Sequence, residues 1–214
     1  SVSPNGKQAL VEEHRTNGRL DLYALEHDGA HQKGWRPYRQ ESDKNAREIS
    51  QAEFLQDDLI ATLSQGNRLV VWKLPNLEAL WQIEGVLSFA VSPGGQQLAV
   101  VQGNILGAKG LALFASATGD PLGNIPLEGK IQAPTFHPQG DLLAVGVEDS
   151  ANHVLRMLSM ATGEVVEEFP VPVAIHAILW TSPEHLLLNQ EKLVHRPLQS
   201  VVWSYNTNNV LLPG

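Results

Sequence analysis

A short strand-turn-strand signature returns along this chain at a nearly constant interval, and that interval limits the fold more than any other feature. Three copies align directly: Ser3-Pro-Asn-Gly-Lys-Gln-Ala-Leu-Val, Ser92-Pro-Gly-Gly-Gln-Gln-Leu-Ala-Val and His137-Pro-Gln-Gly-Asp-Leu-Leu-Ala-Val, offset by 89 and 45 residues. Phe54-Leu-Gln-Asp-Asp-Leu-Ile-Ala supplies another with a turn one residue shorter, and Trp180-Thr-Ser-Pro-Glu-His-Leu-Leu-Leu a fifth. Proline presets φ at the second turn residue and glycine accepts the positive φ that follows, so the pattern codes a tight reversal between two apolar strands. Each apolar run is too short for a helix and is bounded by turn residues. The stretch 86–129, with four such runs, therefore reads as a four-stranded antiparallel meander.

A bulky residue recurs after each signature, at Tyr23, Trp72, Phe114, Leu158 and Trp203, and is assigned to the third strand of each unit. Turns such as Ala117-Thr-Gly-Asp and Ala161-Thr-Gly-Glu follow it, as do Glu26-His-Asp-Gly, Pro75-Asn-Leu-Glu and Asn206-Thr-Asn-Asn, and a fourth apolar run comes next. Five units of about 45 residues with four strands apiece match the period of propeller blades and not that of helical or leucine-rich solenoids. The fold class expected is all-β, a β-propeller of four-stranded antiparallel blades, with boundaries near 1–41, 49–85, 86–129, 130–172 and 173–214.

In its in-phase Ser-Pro-x-Gly turn and bulky-x-x-x-Thr-Gly element the chain resembles the WD-repeat β-propellers, over essentially all 214 residues. It departs from them as well. The residues after the anchor are Ala24, Lys73, Ala115, Ser159 and Ser204, never Asp, and no Gly-His dipeptide occurs. The buried Asp-His-hydroxyl-Trp network of that family is thus expected to be absent or replaced, as in divergent, bacterial-style members. Propellers of this kind usually close with about seven blades. Four complete blades plus one lacking most of its innermost strand lead to the expectation of a partial ring, either a section of a longer chain fused to further domains or a ring closed by assembly.

Composition sets bounds on function. The chain is 43% hydrophobic and 18% charged with 18 Gly and 13 Pro, which is globular and turn-rich. A net charge of -8 argues against nucleic acid, whose binders concentrate Lys and Arg to release counterions. No run reaches the ~18 apolar residues of a membrane-spanning helix. Cysteine is absent, which removes disulfides and thiolate chemistry without fixing a compartment.

The architecture implied by the resemblance puts the first strands, 86–91, 131–136 and 174–180, along a central channel. It places the non-repeating segments at 14–18, 65–68, 102–110, 148–153 and 190–199 as loops on one face, where ligands should be sought. Gly103, Gly107 and Gly110 with Lys109 lack the Gly-Lys-Ser/Thr and following helix of a phosphate loop. His27 and His31 form the only close histidine pair, spanning a turn and without an accompanying acidic triad, so no metal or other cofactor is expected. His176 is expected on a channel strand, as a buried neutral histidine. Adjacent acidic pairs (Glu12-Glu13, Asp57-Asp58, Glu148-Asp149, Glu167-Glu168) point to opposite sides of a strand and cannot converge on one bond. The segment Trp35-Arg-Pro-Tyr-Arg39, followed by a long polar connection, joins two aromatics to two arginines, the residue types enriched in binding hot spots. Trp35, Arg36, Tyr38 and Arg39, with His176, are therefore the candidate binding residues.

No catalytic constellation emerges, so the expected function is a non-enzymatic protein-protein interaction scaffold with a protein partner. Two alternatives stand beside it. One is an enzyme of hydrolase or lyase type with a site at the channel mouth; the other is a substrate-recognition or sensor domain of a larger multidomain protein.

Overall fold

The computed structural model describes residues 1–12, 18–26, 29–104, 107–149 and 152–205. The architecture is all-β, in five consecutive antiparallel meanders. The first sheet has three strands, β1 (Gln8–Glu12), β2 (Leu20–Ala24) and β3 (His31–Trp35), with Val2 bridging Ala9 on the β1 edge. The second comprises β4 (Ile49–Gln56), β5 (Leu59–Ser64), β6 (Arg68–Lys73) and β7 (Glu78–Glu84). The third holds β8 (Val86–Val91), β9 (Gln97–Asn104), β10 (Gly107–Ala115) and β11 (Pro121–Ile125). The fourth follows with β12 (Lys130–Phe136), β13 (Leu142–Asp149), β14 (Asn152–Ser159) and β15 (Val165–Val171). The fifth has β16 (Ile178–Ser182), β17 (His185–Leu188), β18 (Lys192–His195) and β19 (Ser200–Ser204). No helix among the described residues is long and apolar enough to cross a membrane.

The repeated turns form as their sequences dictate. Gly6, Gly95 and Gly140 each donate a backbone N–H to the residue three earlier (Ser3, Ser92 and His137) at 2.8–2.9 Å. The Ser3 and Ser92 hydroxyls also accept from the N–H of Gln8 and Gln97 at 2.9 Å, closing the same turn from the side. At Gly95, with φ of 69°, a Cβ would sit 1.6 Å from the Leu55 carbonyl oxygen of the preceding sheet. Glycine there serves both the turn and the contact between sheets.

Sheets stack face to face in chain order, and the strand alternation decides which neighbour each side chain meets. In β5, Ile60 faces the first sheet while Leu59, Ala61 and Leu63 face the third. In β9, Leu98 and Val100 face the second sheet while Ala99 and Val101 face the fourth. In β13, Leu143, Val145 and Val147 face the third sheet and Ala144 the fifth. The second strand of an interior sheet is covered on both sides, which is why β5 is buried along its whole length, Thr62 and Ser64 included. Four cores result, each lying between two sheets and none within one. First strands of neighbouring sheets touch, β4 with β8, β8 with β12 and β12 with β16.

Several expectations need correction. The described residues of the segments 102–110 and 148–153 are strand and not loop: β9 and β10 pair out to Asn104 and Gly107, and β13 and β14 out to Asp149 and Asn152. Alternating backbone hydrogen bonds extend these pairings, and side-chain polarity does not stop them. The segment 190–199 contains β18, because Asn189 and Gln190 both take positive φ (52° and 61°) and Glu191 N–H bonds the Leu188 carbonyl at 2.9 Å, the two-residue hairpin turn that suits strand twist. Trp203 consequently lies in the fourth strand of its sheet, not the third, and is 61% exposed. Strand β16 begins at Ile178, so His176 precedes it, and His176 is exposed, not buried. The expected loop at 14–17, His27 of the histidine pair, Glu13 of the first acidic pair and the turn at 206–209 lie outside the described residues.

Candidate partner-binding cleft

After Trp35 the chain turns tightly, with Arg39 N–H directed to the Arg36 carbonyl at 3.4 Å and Glu41 N–H to the Tyr38 carbonyl at 3.0 Å. It then enters a one-turn helix, α1 (Lys44–Arg47), capped by the Asp43 carboxylate, which accepts from Asn45 N–H at 2.9 Å. The tight turn sends Tyr38 inward. Its side chain is 3% exposed, and its hydroxyl lies 2.7 Å from the Thr62 carbonyl, 2.8 Å from Thr62 Oγ1 and 3.0 Å from the Arg68 carbonyl. Trp72 Nε1 donates to Thr62 Oγ1 at 2.9 Å. One proton per group orders the set: the indole N–H bonds the threonine hydroxyl, that hydroxyl bonds the phenol, and the phenol donates to a backbone carbonyl. Burial pushes the Tyr38 phenol well above its ordinary range, so it is neutral and keeps its donor proton.

Trp72, Thr62 and Tyr38 thus form one hydrogen-bonded set at the junction of the first two sheets. Tyr38 belongs to the junction of the first two sheets, and Trp35 is half-buried beside it.

Above this junction a cleft of about 600 Å³ opens between the end of β3 and the outer strands β6 and β7. Trp35, Tyr38 and Trp72 contribute to its wall, with Arg36 and Arg39 exposed along the turn. Two further cations join them that lie far apart along the chain, Lys33 from β3 and Arg68 from β6. Arg68 reaches Glu41 at 2.5 Å and its cross-strand partner Glu84 at 2.6 Å, a hydrogen bond that raises its already high pKa. Lys33 Nζ donates to the Pro75 carbonyl at 3.3 Å. Glu41 is the one acidic side chain on this wall, against Lys33, Arg36, Arg39 and Arg68. In a chain with 23 acidic and 15 basic residues, that is a local reversal of sign.

His176 lies elsewhere. It lines a separate cavity of about 450 Å³ walled by β4, β8, β12 and the start of β16. Its backbone N–H bonds Asn189 Oδ1 at 2.8 Å and its Nδ1 lies 3.3 Å from Gln132 Oε1. The structure therefore brings Trp35, Arg36, Tyr38 and Arg39 to one cleft and leaves His176 apart from them. The acidic pairs diverge as strand geometry requires: Glu167 meets Arg196 of the next sheet at 2.6 Å, while Glu168 meets Arg156 within its own at 2.5 Å. Among the described residues no group of three or more His, Asp or Glu side chains is arranged to hold a metal ion.

Neither protein-family models nor curated proteins give any match to this chain.

Proposed function

We propose that this chain is a non-enzymatic protein-protein interaction scaffold, a WD-repeat-like propeller section whose partner site is the cleft beside Trp35. The observation that carries this reading is the cleft itself: arginines and aromatics, the side chains that dominate interface energetics, stand over a wall fixed by the Tyr38–Thr62–Trp72 hydrogen bonds. A base already fixed by hydrogen bonds lowers the ordering cost of binding.

Three features support the propeller part. Each interior sheet gives one face to its predecessor and the other to its successor. First strands of consecutive sheets share a cavity, as radial stacking about an axis requires. The outer face of the fifth sheet also keeps the apolar character of the paired ones. In the fifth sheet, Leu179, Leu187, Leu193 and Trp203 are successive cross-strand neighbours, with Leu179 at 59% and Trp203 at 61% exposure. Such a face suits another sheet of the same repeat, supplied by fusion or by assembly.

The test is a photo-crosslinking side chain at the exposed Gln40 position, in wild-type and in Arg36→Glu/Arg39→Glu backgrounds, with partners captured from cells. A protein adduct that disappears in the double variant supports the cleft as the partner site. Adducts unchanged by the double variant remove it.

A further inference from the structure

The sign reversal at the cleft points to the chemistry of what it holds. We propose that the cleft binds an acidic, extended peptide segment, one whose Asp or Glu carboxylates meet Arg39, Arg36 and Lys33; this rests on the cleft being the partner site.

The basic side chains come from three separate places in the chain, the outer strand β3, the turn that follows it and β6 of the next sheet, and the junction at Tyr38 is what brings them together. Carboxylates accept hydrogen bonds from a guanidinium fork in pairs, which suits the two exposed arginines of the turn. Glu41 and Glu84 hold Arg68 at the back of the group and offset its charge, so the positive field at the mouth comes from the lysine and the arginines of the turn. The half-buried Trp35 and the edge of Trp72 offer apolar wall to the backbone and aliphatic stems of a peptide. The volume of about 600 Å³ suits a few residues of extended chain and not a folded domain. Long-range repulsion from a chain of net charge -8 opposes any polyanion, so recognition must be local and short. That favours a brief acidic stretch over nucleic acid, whose regular phosphate charge extends well past the cleft.

The experiment uses the whole chain and three fluorescently labelled peptides of equal length, one Glu-rich, one Gly/Ser-rich and one Lys-rich, with a single-stranded oligonucleotide as a fourth probe, followed by anisotropy at low salt. The expected result is binding of the Glu-rich peptide at least ~10-fold tighter than the other probes, weakening as salt is raised. Arg39→Glu and Lys33→Glu should each weaken it by ~5-fold or more, while Lys130→Glu, on the fourth sheet, leaves it within ~2-fold. Circular dichroism confirms that the variants fold, and Arg39→Lys, which keeps the charge but loses the guanidinium fork, should weaken binding less than Arg39→Glu does. Equal affinity for the neutral peptide, lost in Trp35→Ala, would overturn the acidic specificity yet leave the cleft as a peptide site. Absence of binding by every peptide overturns both, as does binding indifferent to Arg39 and Lys33. Preference for the oligonucleotide overturns the peptide assignment.

Discussion

Thr62 Oγ1 lies 2.8 Å from the Tyr38 hydroxyl and 2.9 Å from Trp72 Nε1, so one threonine side chain ties the turn after the first sheet to the third strand of the second. Both partners lean on the same oxygen, and their contributions should not add. Tyr38→Phe should cost about 1–3 kcal/mol and Trp72→Phe about 1 kcal/mol, with a coupling of at least ~0.5 kcal/mol in the double variant, measured by urea denaturation. Strict additivity would mean that the two bonds act independently.

Trp72→Ala removes packing as well as the hydrogen bond. A loss of about 3–5 kcal/mol is expected, and a loss below ~1 kcal/mol would contradict its place against the core of the first two sheets.

Gly95→Val should destabilise by about 2–4 kcal/mol, since it adds a branched side chain at φ 69° and drives Cβ into the Leu55 carbonyl. Gly94→Ala is the control. Its φ is also positive, at 81°, but a Cβ there meets nothing within 4 Å, so its cost should be about 1 kcal/mol. Equal losses in thermal melts would show that the contact with Leu55 contributes nothing.

Asp21 carries a pH dependence. It is buried in β2, receives hydrogen bonds from Arg19 at 2.8 and 2.9 Å and lies 2.7 Å from His31 Nε2. The Arg19 hydrogen bonds, opposed by burial and assisted by His31, hold its pKa below the ordinary 3.8. A carboxylate with a depressed folded pKa stabilises the fold above the unfolded value, and that stability is lost as pH falls through the folded one. The difference in melting temperature between wild type and Asp21→Asn should therefore be full at neutral pH and shrink below about pH 4. A difference that is flat down to pH 2 would contradict the shift.

His137 stands where the first and third copies of the turn have serine, and it does more than close the turn. Its Nδ1 lies 2.7 Å from Asp141 Oδ1 and its Nε2 3.2 Å from the Pro183 carbonyl, and the Trp180 ring meets it edge-on with centroids 4.7 Å apart. His137→Ser should keep the turn but weaken the junction of the fourth and fifth sheets by about 1–3 kcal/mol. If the fifth sheet is the element loosened, amide exchange should quicken in β16 and β17 before the third sheet responds.

Much of the scaffold could be read in the sequence because its determinants are local. Ser92-Pro-Gly-Gly and Ala117-Thr-Gly-Asp specify their own reversals, and the apolar runs between them have no alternative at that length. Hairpin extent was less legible: Gly103 to Gly110 looks like a loop by composition, yet backbone pairing needs no particular side chains. The displacement of Trp203 into a fourth strand came from Asn189 and Gln190, a turn with no glycine to announce it. For the cleft, the run Trp35 to Arg39 drew notice by residue type, but Tyr38 faces inward for a reason held by Thr62, 24 residues away. Lys33 and Arg68 could not be grouped at all until two sheets were packed together, since their shared surface exists only in three dimensions.

The interior of this molecule lies in the gaps between successive meanders. A cut at any joint between repeats, however well the joint is chosen by sequence, would strip two half-interiors at once, and a transplanted repeat would bring two unmatched surfaces with it. The exchangeable part is thus a pair of facing half-repeats, offset by half a period from the unit that the sequence displays.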